Sequence, residues 1–462
     1  MGFLETVSNL WPEVKGPTQK RLPFKEKLKW TGIILVIFFV LGLVPLFGLG
    51  QNALQQFEFL SIILGASFGS IISLGIGPIV TASIVLQLLS GTGIIGIDTT
   101  TPDGRVKFQA LQKVIAVSFT LFEAIIYVMM GGLAPSAAYA GTSLFWQFQI
   151  ILIVQLFIGG ILIMFMDEVV SKWGFGSGVS LFIAAGVAQQ IFIRAFNFLP
   201  SPTNPDIAAG AIPALFQSLG NGDITTALLM LAGIVSTVVV FAICVYGQSM
   251  KVEIPLSFGR VRGHSMRWPL NFFYTSNIPV ILVAALLANI QLLATLFANL
   301  GWPILGTFSG STPVSGLVAW IYAPDVVRAI ITGSFTWTNV IQVFVYSGIM
   351  MIGSMVFSIF WVQTANMDAA SQAKQIMASG LQIPGFRRDQ RVLERILSRY
   401  IWPLTVVGGL SIGLLAALAD LTGALSQGTG ILLAVMIVYK LYEEIAKQHM
   451  MDMHPALRKM ME

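Results

Sequence analysis

Long apolar runs separated by short polar segments fill this chain, each run near the ~20 residues that cross a bilayer as a helix. Ten such runs predict ten spans, at about residues 30–49, 70–89, 108–130, 144–166, 176–193, 225–248, 275–298, 340–364, 400–421 and 429–445. A shorter apolar stretch, 57–68 (FEFLSIILGASF), follows the polar residues Gln51, Asn52, Gln55 and Gln56. It is too short to span and predicts a re-entrant segment or an external cap. Near the start, Phe3, Leu4, Val7, Leu10 and Trp11 recur at helical spacing before a basic run at 15–29. That pattern predicts a short helix lying on a membrane surface. No small-residue cleavage site follows the first apolar run, which argues against a removable signal peptide.

The run at 74–89, LGIGPIVTASIVLQLL, is too apolar for water and too broken for an ordinary lipid-facing helix. Gly75, Gly77 and Pro78 interrupt its entry, while Ile76 and Val80 stand one turn apart on one face. Glycine and proline at membrane depth are tolerated where protein or a cavity satisfies the freed backbone groups. A broken helix with a branched aliphatic pair is a candidate wall of a passage through the membrane. A kinked packing helix has the same pattern, and this stretch alone does not separate the two.

Composition sharpens the class. The 462 residues are 55% hydrophobic and 10% charged, with a mean hydropathy of +0.81. Soluble domains carry roughly 25% charged residues, so the chain reads as a polytopic membrane protein. The lone Cys244 excludes an internal disulfide and a cysteine-based metal cluster. His264, His449 and His454 fall in polar segments and make no ligand set, so no metal or other cofactor is expected.

The net charge of +5 matters less than its placement. Apart from Arg194 and Arg328, the lysines and arginines fall in or beside one side's segments: the N-terminus, 105–113, Lys172, 251–267, 374–399 and 440–459. Ten spans put both termini on one side, and the positive-inside rule makes that side cytoplasmic.

An internal repeat is legible. The fifth run opens GSGVSLFI (176–183) and the tenth GTGILLAV (428–435). The second run leads from Pro78 to Gln87, Leu88 and Leu89, the seventh from Pro279 to Gln291, Leu292 and Leu293. Matching elements lie five spans apart, and an odd number per half gives the halves opposite orientations. Inverted repeats with broken helices place their pathway between the halves. The aliphatics in these broken segments are Ile76, Val80, Val179, Ile183, Ile281 and Leu433. Purely aliphatic linings gate by dewetting or form a compliant seal; packed core is the competing explanation.

Glu123 is a charge well inside a span, a functional candidate because a carboxylate there costs a few kcal/mol. Thr81 and Asn289 are its plausible neutral partners. So few intramembrane carboxylates argue against proton or sodium coupling. Two basic loops, 251–271 and 374–399, exceed what topology needs. Alternating Val252, Ile254 and Leu256 could start a hairpin, and Arg260, Arg262, Arg387 and Arg388 sit around glycines. They suggest a large anionic partner. No G-x-x-x-x-G-K-[ST] phosphate loop is present, so no ATPase and no enzyme is expected.

Five stretches carry a resemblance: 74–89; DEVVSKWGFGSGVSLFIAAGV (167–187); VEIPLSFGRVRG (252–263); TSNIPVILVAALLANIQL (275–292); and the GTGILLAV to HPALRKM end. In order along nearly the whole chain, they resemble the SecY family, its archaeal branch above all. The resemblance implies an all-α polytopic protein with ten transmembrane helices in two inverted five-helix halves around a central pore. It divides the chain into a cytoplasmic segment 1–29, a first half 30–195, an external connector 196–224, a second half 225–447 and a cytoplasmic tail 448–462.

By resemblance, the six aliphatics form the pore ring, and the stretch 57–68 becomes the plug, with Phe57, Phe59, Leu60, Ile63, Leu64 and Phe68 as its apolar body. Thr81, Glu123 and Asn289 match a polar cluster at a lateral gate between spans two and three and spans seven and eight. Arg260, Arg262, Arg387 and Arg388 match the ribosome-facing loops. The implied function is a passive conduit for unfolded polypeptide with a sideways exit into lipid. The implied partners are two small subunits, SecE and Secβ, the ribosome with its nascent chain, and signal peptides, with no DNA. The alternative from another class is a secondary transporter of a small solute.

Overall fold

The computed structural model describes residues 14–18, 22–52, 67–91, 94, 101–201, 207–258, 265–299, 301–309, 312–378, 381–382, 389–426 and 428–453. The surface helix expected at 3–11, and all of 57–68 except Ser67 and Phe68, lie outside them. Among the described residues, a helix follows each of the ten apolar runs. In chain order these are α1 Phe24–Leu43, α2 Gly77–Gly91, α3 Pro102–Met129, α4 Ser143–Trp173 and α5 Gly178–Phe196. The second five are α6 Ile224–Ser249, α7 Ile278–Asn299, α8 Trp337–Thr364, α9 Gln390–Asp420 and α10 Gly428–Met453. Seven of them, α3 to α9, are long and apolar enough to cross a membrane. The other three fall short for different reasons. Helix α2 has only 15 residues; α1 opens on Lys25, Glu26, Lys27 and Lys29; α10 carries Lys440, Glu443 and Glu444 in its second half.

The shortness of α2 corrects the expected span 70–89. Residues 70–76 are turns, with Gly75 at a φ of +56° that a side chain would strain. Irregular backbone survives at membrane depth only inside protein, and this segment is inside: Ile72, Ser73, Leu74 and Ile76 are at most 1% exposed. Its polar groups are met locally. The Ser73 hydroxyl donates to Ser70 O at 2.5 Å and accepts from Gly69 N at 2.9 Å. The Ser67 hydroxyl reaches back to Gly42 O of α1 at 3.1 Å. Helix α7 is entered the same way, through turns at 272–277 with Ser276 at a φ of +58°. There the Thr275 hydroxyl shares a 3.1 Å hydrogen bond with Ser358 of α8.

The two halves repeat one packing plan. Helix α2 packs on α3 and α3 on α4, as α7 packs on α8 and α8 on α9. Glycines allow the close approaches in both. A Cβ at Gly160 of α4 would collide with Thr120 of α3, and one at Gly413 of α9 would stand 2.5 Å from Met350 O of α8. Across the halves, α2 meets α7 and α8 on one side, and α5 meets α10 on the other.

Outside the spans, strand β1 (Leu49–Asn52) pairs antiparallel with β2 (Leu133–Pro135). The hairpin expected from residue 251 is present as β3 (Lys251–Phe258) and β4 (Ser265–Asn271), in register from Lys251↔Asn271 to Ser257↔Ser265. The sequence did not reveal that β3 also pairs with Leu381–Gln382, which joins the two basic loops into one three-stranded sheet. Lys251 forms a 3.0 Å ion pair with Glu443 of α10, and that hydrogen bond raises the lysine's pKa above its ordinary value. Helix α9 starts at Gln390 rather than near 400 because its charged extension is amphipathic. Leu393, Leu397 and Ile401 are buried against Ile254 and Leu270 of the hairpin, with the arginines left outside.

The tight α8–α9 contact yields a prediction. Gly413→Val should lower the melting temperature of the purified protein, since overpacking a fitted interface costs on the order of 1–3 kcal/mol. Gly348→Val on α8, where a Cβ would meet nothing within 4 Å, should leave it unchanged. Equal melting of the two variants in a detergent thermal-shift assay would contradict the packing described.

Candidate functional site

The broken entries of α2 and α7 and the first turns of α5 and α10 converge on the centre between the halves. Ile76, Val80, Ile183, Ile281 and Leu433 belong to one continuous apolar cluster and are each at most 5% exposed. Val179 is half-buried and packs against the same cluster. Ile76 ends the irregular segment, and Val80 N–H donates to Ile76 O at 3.0 Å, so the pair shares the first turn of α2. Helices α5 and α10 begin at Gly178 and Gly428, so position by position Ile183 corresponds to Leu433. That register is shifted by two residues from the one suggested by the matching words GSGVSLFI and GTGILLAV. The six side chains are all aliphatic and carry no group with which to coordinate a solute.

Beside it, the seam between α2, α3 and α7 holds the three polar side chains singled out in the sequence. Asn289 Nδ2 donates to Thr81 Oγ1 at 3.0 Å, and Thr81 Oγ1 lies 3.4 Å from Glu123 Oε1. Thr81 also donates to Gly77 O at 2.8 Å, so the Glu123 contact is its longer and weaker one. Glu123 Oε2 is buried and meets no donor among the described residues. Thr81 is the hub; Asn289 and Glu123 touch through it.

Glu123 is not the only carboxylate in the spans, a correction to the sequence reading. Asp420, the last residue of α9, is 9% exposed and accepts from Tyr346 Oη at 2.6 Å and from Thr429 N at 2.6 Å. The Thr429 hydroxyl donates to it as well. Asp167, near the end of α4, accepts from Val179 N at 2.9 Å. Terminal position made both look interfacial. The available signal was a carboxylate closing one apolar run shortly before a glycine opens the next.

On the basic face, Arg260, Arg262, Arg387 and Arg388 lie outside the described residues. The described frame places both stretches at one sheet: the 259–264 connection joins β3 to β4, and 383–388 follows Leu381–Gln382. Of the apolar residues of 57–68, Phe68 is described and packs on the cluster formed by Leu74, Leu133, Leu156 and Leu292. Phe57, Phe59, Leu60, Ile63 and Leu64 lie outside. No group of three or more metal-ligating side chains occurs among the described residues.

Comparison with known proteins bears on this geometry. The SecY family profile matches residues 70–442, and the plug domain of Sec61p matches residues 36–69. The chain is 49% identical to the protein translocase subunit SecY of Methanothermobacter thermautotrophicus, over 98% of this chain and 97% of that one. It is 43% identical to the Pyrococcus furiosus protein translocase subunit SecY, over 99% and 98% of the two chains. Its fold matches the solved structure of a protein conducting channel with a TM-score of 0.84 at 38% identity, covering 99% of both chains. It matches Sec61 in the canine ribosome–channel complex from the endoplasmic reticulum with a TM-score of 0.81 at 38% identity, again over 99% of both. With the matched profile spanning α2 to α10 and the identity extending over almost the full length, this chain belongs to the SecY family.

Proposed function

We propose that this chain is the pore subunit of a protein-conducting channel, and that the buried aliphatic centre is its closed ring. The observation that carries the proposal is the burial of Ile76, Val80, Ile183, Ile281 and Leu433, from broken entries and helix starts of both halves, within one apolar cluster. A dry aliphatic constriction offers ions no hydration yet imposes no side-chain specificity on a passing polypeptide. A solute transporter needs convergent polar groups at the midplane, whereas these side chains are all aliphatic.

The seam between α2 with α3 and α7 with α8 is the sideways exit. Its cluster of Thr81, Glu123 and Asn289 holds the closed state with a bias of about 1–2 kcal/mol, the worth of interhelical hydrogen bonds in lipid. An entering apolar segment overcomes that bias by partitioning, since each leucine at the bilayer centre gains roughly 0.3–0.6 kcal/mol. Stretch 57–68 serves as the plug. The chain sits in the cell membrane with both termini cytoplasmic, which puts the joined basic loops on the side where a ribosome approaches. Small subunits of the SecE and Secβ kind complete the channel. The partner supplies the energy, and signal peptides open the seam.

Three measurements test this reading. Replacing Ile76, Val80 and Ile183 together with Ser should make the resting channel conduct in planar bilayers; an unchanged leak means the aliphatics are packing core.

The seam is tested in a Cys244→Ser background carrying Thr81→Cys and Asn289→Cys, whose parent side chains touch at 3.0 Å. A short bis-methanethiosulfonate cross-linker, which forms a disulfide with each cysteine and expels methanesulfinate, should block membrane insertion of a test segment, and reduction should restore it to the level of the unlinked protein. Full insertion activity in a verified cross-linked sample removes the exit.

The Arg387→Glu reversal, alone and with Arg260→Glu and Arg262→Glu, should weaken ribosome binding and flatten its salt dependence, because phosphate contacts release counterions. Identical binding curves across a salt titration exclude these arginines.

A further inference from the structure

We propose that Asp167 and Asp420 are a matched pair of positioning residues. Each caps the helix that carries a ring side chain, so that the two carboxylates hold Ile183 and Leu433 in the closed ring from opposite membrane faces. The inference rests on the ring reading above and deepens it.

The geometry is the same in both halves. Each carboxylate sits toward the C-terminal end of one span and accepts a hydrogen bond from the second residue of the next. Asp167 of α4 takes Val179 N–H of α5 at 2.9 Å, and Asp420 of α9 takes Thr429 N–H of α10 at 2.6 Å. Each capped helix opens on a glycine that lets the two backbones touch. A Cβ at Gly178 would lie 2.5 Å from Asp167 Cα, and one at Gly428 would collide with the Ala419 backbone. From the capped N–H to the ring residue is one helical turn in both cases, 179 to 183 and 429 to 433. Ile183 and Leu433 are both fully buried.

Physical chemistry explains the choice of residue. The first N–H groups of a helix have no partner in their own helix, and they carry the positive end of its dipole. A carboxylate anchored in a neighbouring span satisfies one of them and fixes the helix start against that span. Because α10 starts inside the protein, with Asp420 and Thr429 both buried, water is a poor substitute there; at α5 the cap lies beside the exposed Ser177. Secondary bonds brace the carboxylates. Asp420 also holds Tyr346 of α8 and the Thr429 hydroxyl, and Asp167 lies 3.4 Å from the Ser177 hydroxyl. The inverted repeat puts Asp167 on the cytoplasmic side and Asp420 on the external side, so the ring is gripped from above and below.

The test is the resting ion leak of the assembled channel in planar bilayers, at matched protein abundance. Asp420→Ala and Asp167→Ala should each raise the leak about fivefold, the equivalent of one lost cap of about 1 kcal/mol at 1.4 kcal/mol per decade. Asp420→Asn, which keeps one acceptor for Thr429 N–H, should give an intermediate leak. If the carboxylate acts through the ring, Asp420→Ala should add nothing to the leak of a Leu433→Gly channel; additive leaks overturn the proposal. Should Asp420→Ala fail to accumulate, Tyr346→Phe and Thr429→Ala each remove one bond to the same carboxylate and should leak measurably. A parental leak in both of these also overturns it. A leaking ring-serine channel with silent carboxylate variants removes only this inference, whereas a silent ring-serine channel removes the ring reading beneath it.

Discussion

Everything in this structure depends on satisfying backbone polar groups where helices are broken inside a membrane. A bundle of unbroken helices would meet that demand without effort, but it would have no centre in which irregular segments from two halves could meet. Here α2 and α7 are entered through turns at membrane depth, and each unpaired group has to find a partner that is not water. Ser67, Ser70 and Ser73 supply those partners at the first break, and the Thr275–Ser358 pair supplies one at the second. An orphaned donor in such a place costs on the order of 1–3 kcal/mol. The run of small hydroxyl residues at 67–73 is therefore a consequence of the break, as much as Gly75 and Pro78 are its cause.

The spans were legible because apolar length is a strong signal, and the inverted halves because an odd count fixes orientation. Glu123 was legible because a carboxylate within an apolar run is costly enough to need a partner, whether that partner is functional or a simple interhelical hydrogen bond. Other features were hidden for definable reasons. The start of α2 was placed too early because residues 70–76 are as apolar as a helix, and only φ distinguishes a turn from a span. Helix α9 was placed too late because Arg391, Arg395 and Arg399 read as loop, although Leu393 and Leu397 between them are core. Asp420 escaped because a carboxylate at the end of a run passes for an interfacial one. The pairing of β3 with Leu381–Gln382 joins positions more than a hundred residues apart, and no local pattern encodes it.

The two openings of the molecule are held by different kinds of interaction. The side chains of the proposed ring meet by apolar contact, which is non-directional and re-forms around whatever leaves it. The seam adds a few directional bonds through Thr81, one of them long. Non-directional closure suits a passage that must accept any sequence. Weak directional closure suits a sideways exit that must discriminate by hydrophobicity, since its bias is matched by only a few leucines in lipid.

The three-stranded sheet is tied to the spans by interactions of unequal weight. Lys251–Glu443 is a visible ion pair, but both side chains are solvent-accessible and such pairs contribute about 0–1 kcal/mol. The cluster of Ile254, Leu270, Val362, Ile376, Leu393, Leu397 and Ile401 buries several large side chains, each worth roughly 1.5–3 kcal/mol. That cluster, not the ion pair, fastens the protrusion to α8 and α9. Those two helices contribute Tyr346 and Asp420, and Asp420 accepts from Tyr346 Oη and from Thr429 N–H at the start of α10. A packed route therefore runs from the basic face to the start of α10 without passing through any charged side chain in the first of its two steps, so high salt should weaken a partner's grip on the arginines while leaving the protrusion's own attachment intact.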